Sequence, residues 1–402
     1  MPPRTCHDFP TCPVAYPFNR FTDLQLADAY RDAQNAPGLL RIQMPIGAPA
    51  WLATRYDDVR LVLGDRRFSR GEALRRPDAP RAFARIAGGI VMMDPPQLTR
   101  IRSLAAQAFT RRRVEALRPH ARTHAHQLID RMLAAGPPAD LVNDFALPIP
   151  LALICELLGV PLQDRDRFKR WNDSLLSTRP EDATQTQQHL GELAAYIKGL
   201  VAERRSTPRD DFMTALTQAH EEGEHLSEEQ LLLLCIAILV AGYEGSASQI
   251  PNFIQVLLDN PQQWQQLKDD PEQVPAAVEE LLRYIPLASA AMFVHYALED
   301  IQVGDTLVRQ GEAVFASIGA ANHDPARFPA PNTLDLQRDT SGHFGFGHGL
   351  HHCIGSALAR VELQEALRAL VERMPNLQRC GDVQWKTDTF FRGAHCLPVT
   401  WA

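Results

Sequence analysis

With 402 residues, 45% of them hydrophobic, the chain is long enough to bury a large core. A formal net charge of −7 argues against a general nucleic-acid binder. The first twenty residues, MPPRTCHDFPTCPVAYPFNR, hold no apolar run of signal-peptide or anchor length, and the seven cysteines lack paired spacing, so a reducing cytoplasm with mostly free thiols is expected.

In chain order, residues 1 to about 20 read as an N-terminal extension of one compact domain covering 1–402. Strand-like alternation is confined to Trp51–Arg55, Ile301–Val308, Ala313–Ser317 and Cys396–Trp401. Elsewhere apolar residues recur at helical spacing. The fold expected is mainly α, a large helical domain with small peripheral β-sheets. Between the first strand and the middle of the chain lie the arginine-rich segment 66–85 and the run Arg111–Arg113, both read first as solvated surface.

The most informative element is a helix expected from about Glu228 to Asp259. Ser227, followed three residues later by Gln230, carries a capping-box signature. The run LLLLCIAILVAG, Leu231–Gly242, is apolar on every side, so the helix must cross the core, while the run itself is too short to span a bilayer. Polarity then returns abruptly in YEGSASQIP. Gly245 lowers helix propensity, and Pro251 removes a donor and crowds the carbonyl of Ala247. Two readings stay open: a local kink tolerated for packing, or a helix opened beside a reaction centre.

A second island runs from His343 to Leu370, HFGFGHGLHHCIGSALARVELQEALRAL. Glycines precede Cys353 and an amphipathic helix follows it. A cysteine at a helix N-terminus sits in a field that favours its thiolate, and a thiolate is an electron-donating axial ligand for haem iron. The surrounding His343, His348, His351 and His352 leave a zinc site or a histidine-activated nucleophile open, but no second cysteine pair supports zinc and the C-x-x-C-H of covalent haem is missing.

Four motifs in family order resolve the choice. Phe346-Gly347-His348-Gly349-Leu350-His351-His352-Cys353-Ile354-Gly355 resembles the F-G-x-G-x-H-x-C-x-G signature of bacterial soluble cytochromes P450. AVEELLRY carries E-x-x-R as Glu280 and Arg283, LDLQR supplies Arg338, and AGYEGS (Ala241–Ser246) resembles the A-G-x-[DE]-T-[TS] segment of the central helix. The resemblance extends from about Tyr16 to Trp401. It implies a monooxygenase that uses O₂ and two electrons, with haem b held by Cys353 and a separate ferredoxin and its reductase as donor. It also implies a buried structural cluster of Glu280, Arg283 and Arg338, and a cytoplasmic monomer without membrane attachment.

By position in these motifs, Cys353 is the metal ligand, and Phe346, Gly347, Gly349, Gly355 and Ala241 lie against the haem. Gly349 and Gly355 are expected to let the backbone approach the sulfur. Haem carboxylates fall to Arg102, His351 and His295, because the family's histidine four residues before Arg102 is Leu98 here and a further arginine is replaced by His295. The substrate pocket is expected to include Ala237, Val240, Leu287, Ala291, Met292, Phe293, Phe390 and Phe391, mostly apolar side chains that fit a terpenoid, polyketide or fatty skeleton. Arginines of the 66–85 segment are weighed as partners for a substrate carboxylate, and Arg111–Arg113 as a docking patch for the donor.

Proton delivery departs from the pattern. Glu244, Gly245 and Ser246 occupy the catalytic segment, and Gly245 stands where most members have threonine. Ser246 lies about 100° further round the helix. Delivery through water or the substrate itself is therefore expected. The competing functions are an atypical reaction (desaturation, repeated oxidation, C–C cleavage or coupling) and a non-catalytic haem sensor.

Overall fold

The computed structural model describes residues 12–82, 89–106, 109–209, 211–221 and 227–401. The central helix spans Glu228–Asp259, as its sequence predicts, with Pro251 inside it. Its capping box is complete: Ser227 Oγ accepts from Gln230 N at 3.1 Å, and Gln230 Oε1 accepts from Ser227 N at 3.1 Å. In length and apolarity the whole helix is sufficient to cross a membrane, although its apolar run alone reads as too short. Its burial among the other helices accounts for that composition.

Two helices fix its position. Pro148–Leu158 packs so closely that a Cβ on Gly242 would lie 2.6 Å from Ile154 Cδ1, so a larger residue would force the Ile154 side chain to shift. The cysteine helix, Ser356–Arg373, also packs on it and is held in turn by Arg111–Ala135. Across that contact Arg118 Nη1 and Arg122 Nε reach the buried Glu365 carboxylate at 2.9 and 2.8 Å.

The main sheet has six strands in the order Val14–Ala15, Leu40–Gln43, Ala50–Ala53, Ala313–Ala316, Val294–Ala297, Phe68–Ser69. Trp51 pairs in parallel with Val314, and His295 pairs with Val314 from the antiparallel side. Val294–Ala297 escapes the alternation rule because both its faces are buried. The stretch expected as Ile301–Val308 is a hairpin of Ile301–Val303 and Thr306–Val308, turning at Gly304 with φ +52°. The expected extension through residue 20 already joins the sheet at Val14, and Tyr16 is buried, its Oη accepting from Ala291 N at 2.6 Å. Cys12, Cys155, Cys235, Cys353, Cys380 and Cys396 are all free thiols; Cys6 and Arg85 lie outside the described residues.

Candidate active site

The cysteine loop is a tight series of backbone turns. Gly347 N donates to Phe344 O at 2.8 Å, His352 N to Gly349 O at 3.1 Å, and Cys353 N to Phe346 O at 2.8 Å. Gly349 has φ +67°, and a Cβ there would sit 2.3 Å from Leu63 O. Glycine at this position lets the loop meet the Leu63–Gly64 backbone. At Gly355 an added Cβ would only touch Phe109 Cε1 at 3.7 Å, so sterics do not demand glycine; what Gly355 supplies is a backbone N–H to the sulfur. The Phe346 ring carries the Arg360 guanidinium 4.4 Å from its centre.

Cys353 is solvent-accessible, yet the protein surrounds it closely enough for burial to push its thiol pKa up. Both hold for a group enclosed by protein yet reached by solvent. The Gly355 N–H, Arg102 and Arg360 pull the other way but do not win. Burial thus outweighs these groups in the protein alone, and a cation bonded to the sulfur would favour the thiolate.

On the central helix Ala237, Val240, Ala241 and Gly245 are open at helical spacing, and a Cβ on Gly245 would have no neighbour within 4 Å. Glu244 is directed elsewhere: Lys386 Nζ binds its Oε1, and Ser248 Oγ donates to the same oxygen at 3.0 Å. Ser246 is buried and close enough to Glu362, on the cysteine helix, to temper its titration, although Glu362 Oε1 has no hydrogen-bond partner among the described residues. Burial raises the Glu362 carboxyl to about 8, so it holds a proton at neutral pH. Sequence reasoning missed Glu362, because a glutamate inside an amphipathic helix looks like surface.

Leu287, Met292 and Phe293 are partly open, whereas Ala291 is buried. The Phe390 and Phe391 rings lie 4.6 Å apart at 52°. Arg70, also missed by the sequence reading, stacks 4.5 Å over Phe293 and donates from Nε to His295 Nε2 at 3.0 Å. It stands out in the arginine-rich segment as a buried member. Arg67 pairs with Asp65 at 2.7 Å, and Arg75 and Arg76 pair with Glu72 at 3.2 and 3.4 Å, so these three are already occupied and not poised for a substrate carboxylate.

Arg70 and Arg102 form a basic cluster with the imidazoles of His295 and His351. Burial pulls Arg70 to about 9 and His351 to about 3, and lowers Arg102 and His295 as well, with Arg70 adding to the shifts of both histidines. Asp94 is the opposing carboxylate, but its oxygens accept the backbone N–H of Arg70 and Gly71, at 3.1 and 3.2 Å. His295 Nδ1 is buried without a partner. Since a guanidinium keeps its proton, these shifts express the want of an anion. A ligand with two carboxylates and a metal fits the cluster and Cys353 together.

The other histidines are scattered. His343 Nε2 meets Glu279 at 2.9 Å and His348 packs on Phe344, and no group of three metal-ligating side chains occurs among the described residues. Behind the loop, Arg283 Nε and Nη2 grip both oxygens of Glu280 at 2.7 and 2.8 Å, and Arg338 Nε reaches Glu280 at 3.2 Å.

The comparisons with known proteins point the same way. The family model for cytochrome P450 matches residues 169–375. A mycinamicin IV hydroxylase/epoxidase of Micromonospora griseorubida is 46% identical over 97% of this chain and 99% of its own length. The chain belongs to the cytochrome P450 family. A nocardicin C N-oxygenase of Nocardia uniformis subsp. tsuyamanensis is 42% identical, covering 96% of this chain and 98% of the relative. The solved structure of the mixed-function P450 MycG superposes with a TM-score of 0.91, at 46% identity over 97% of this chain and all of that one. This P450 is thus a haem-thiolate oxidoreductase by family, with the P450 fold throughout the described chain.

Proposed function

We propose that this P450 binds haem b in a hollow through Cys353 and oxidises a hydrophobic polyketide-type molecule, using O₂ and electrons from a separate ferredoxin and its reductase. The carrying observation is one composite: an accessible thiol inside the protein, with Arg102 acting on it and belonging to a basic cluster with Arg70, His295 and His351, together with an open helix stripe at Gly245. When bound, haem supplies O₂ activation, and a thiolate ligand donates the electron density that favours O–O cleavage. Arg70, Arg102, His295 and His351 hold the carboxylates. Phe293, Phe390, Phe391 and the Ala237–Ala241 stripe exclude water and orient an apolar substrate. Of the skeletons that fit the lining, a polyketide is supported by a relative named for polyketide biosynthesis.

For proton delivery, Gly245 offers nothing and Glu244 is tied to Lys386. The Glu362 carboxyl, protonated and beside Ser246, is the available store, in place of delivery by water or substrate alone. Arg111–Arg113 open a helix whose N-terminal dipole already repels positive charge, which favours donor docking over mere solvation.

Cys353→Ala tests the reading: the purified variant loses the thiolate-type carbon monoxide spectrum. Retention of that spectrum overturns it. Macrolides are then screened for the spin-state shift that accompanies displacement of a water ligand. Ser246→Ala separates the proton routes: coupled turnover is lost if Ser246 and Glu362 carry the proton, and unchanged turnover restores delivery by water or substrate.

A further inference from the structure

The C-terminal hairpin, Gln384–Trp385 paired with Ala394–Cys396, carries Phe390 and Phe391 in its loop. Three contacts fasten the base of that loop to the central helix. Lys386 Nζ binds Glu244 and accompanies Ser248 Oγ at 3.2 Å, with both partners of the ion pair nearly enclosed at 11% and 5% side-chain exposure. Gly393 lies so close to the helix that a Cβ would meet Ser248 Cβ at 3.3 Å. Asn252 Nδ2 donates to Arg392 O at 3.0 Å. The far end of the loop is held differently: Thr178 N donates to Asp388 O at 2.8 Å, and Arg179 pairs with Asp388 at 3.3 Å with 53% and 43% exposure. One end is therefore anchored by an enclosed charge pair, and the other by a solvent-screened one of small worth.

We propose that Lys386 is a positioning residue for the oxidation. By clamping Glu244 and Ser248 it pins the hairpin to the central helix, fixes Phe390 and Phe391 as one wall of the hollow, and so sets how a substrate lies over the reacting centre. Movement of the loop then occurs at Asp388, not at Lys386. The inference rests on the hollow being the oxidation site, but the clamp itself does not.

The test uses the holoenzyme with Lys386→Met and with Lys386→Met/Glu244→Gln. The single variant leaves an enclosed carboxylate uncompensated, and its Tm falls by roughly 4–6 °C. The double variant removes that charge and recovers most of the Tm. It still lacks the clamp, so the amides of Lys386 and Arg392, bonded to Gly393 O and Leu287 O, exchange faster with deuterium than in the parent. In spectral titration it binds 4-phenylimidazole, which leans on the walls, about tenfold more weakly. Imidazole, which does not reach the walls, binds as in the parent. A double variant with parental exchange and parental 4-phenylimidazole affinity overturns the proposal, since the lysine then only neutralises a charge. A parent protein with no spectral response to imidazole removes the haem reading, and the exchange data still decide the clamp.

Discussion

Two charged clusters flank the cysteine loop, and they are built on opposite principles. Behind it, Glu280 receives Arg283 and Arg338, and the remaining guanidinium N–H groups reach the carbonyls of Asn322 and Pro331 from Arg283, and of Ala330 and Thr333 from Arg338. Every charge is answered within the protein. Beside the sulfur, Arg70 and Arg102 carry like charges, the His295 and His351 imidazoles stay neutral, and among the described residues no side-chain carboxylate accepts a hydrogen bond from these four groups. The first arrangement is scaffold. The second is unfavourable in the protein alone and becomes favourable only around an anionic ligand.

The comparison is broken most sharply at its closed end. Glu280→Ala strands Arg283, which has no exposure at all, and is expected to cost about 3–5 kcal/mol in chemical denaturation. At the open end the expectation inverts. Arg70→Leu removes a repelling charge, so the haem-depleted protein is as stable as the parent or more so, while haem transfer to an acceptor protein accelerates about 10–100-fold for one lost charge-assisted contact. An Arg70→Leu protein that is destabilised yet retains haem normally would make the two clusters alike.

Two pH measurements sharpen the contrast between closed and open charge. The folded-state carboxyl of Glu362 is raised to about 8, so folding takes up a proton, and its contribution to stability declines as pH rises from the unfolded value near 4.5 through 8. Glu362→Gln is expected to abolish that slope in denaturation midpoints measured across the interval. Glu279 behaves oppositely. Burial would raise it, but hydrogen bonds from His343 and Arg360 win and hold it at about 2. Its stabilisation is present above about pH 4.5 and lost as pH falls toward 2, and Glu279→Gln flattens acid unfolding there. The smallest effect belongs to the surface. Arg111→Gln with Arg112→Gln leaves stability within about 0.5 kcal/mol and removes the salt dependence of reduction by a ferredoxin.

Much of the site was legible because its chemistry is local. The cysteine loop, the capping box at Ser227 and the spacing of Glu280 and Arg283 are short-range patterns, and the central helix ends where its apolar period ends. Arg70 and Glu362 were hidden because each sits in a sequence neighbourhood typical of surface: one among seven arginines, the other on an amphipathic helix. Val294–Ala297 was hidden by burial on both faces, which erases the alternation that marks a strand.

The sequence by itself determined the helical class, the cysteine loop, the family and the absence of a hydroxyl at Gly245, since these follow from residue identity and spacing. Only the tertiary structure decided that Glu244 is taken by Lys386, that burial raises the Glu362 carboxyl to about 8, and that Arg70 meets His295. Those outcomes depend on which groups meet across distances of 142 or 225 residues in the chain, and on how far burial there removes water from them.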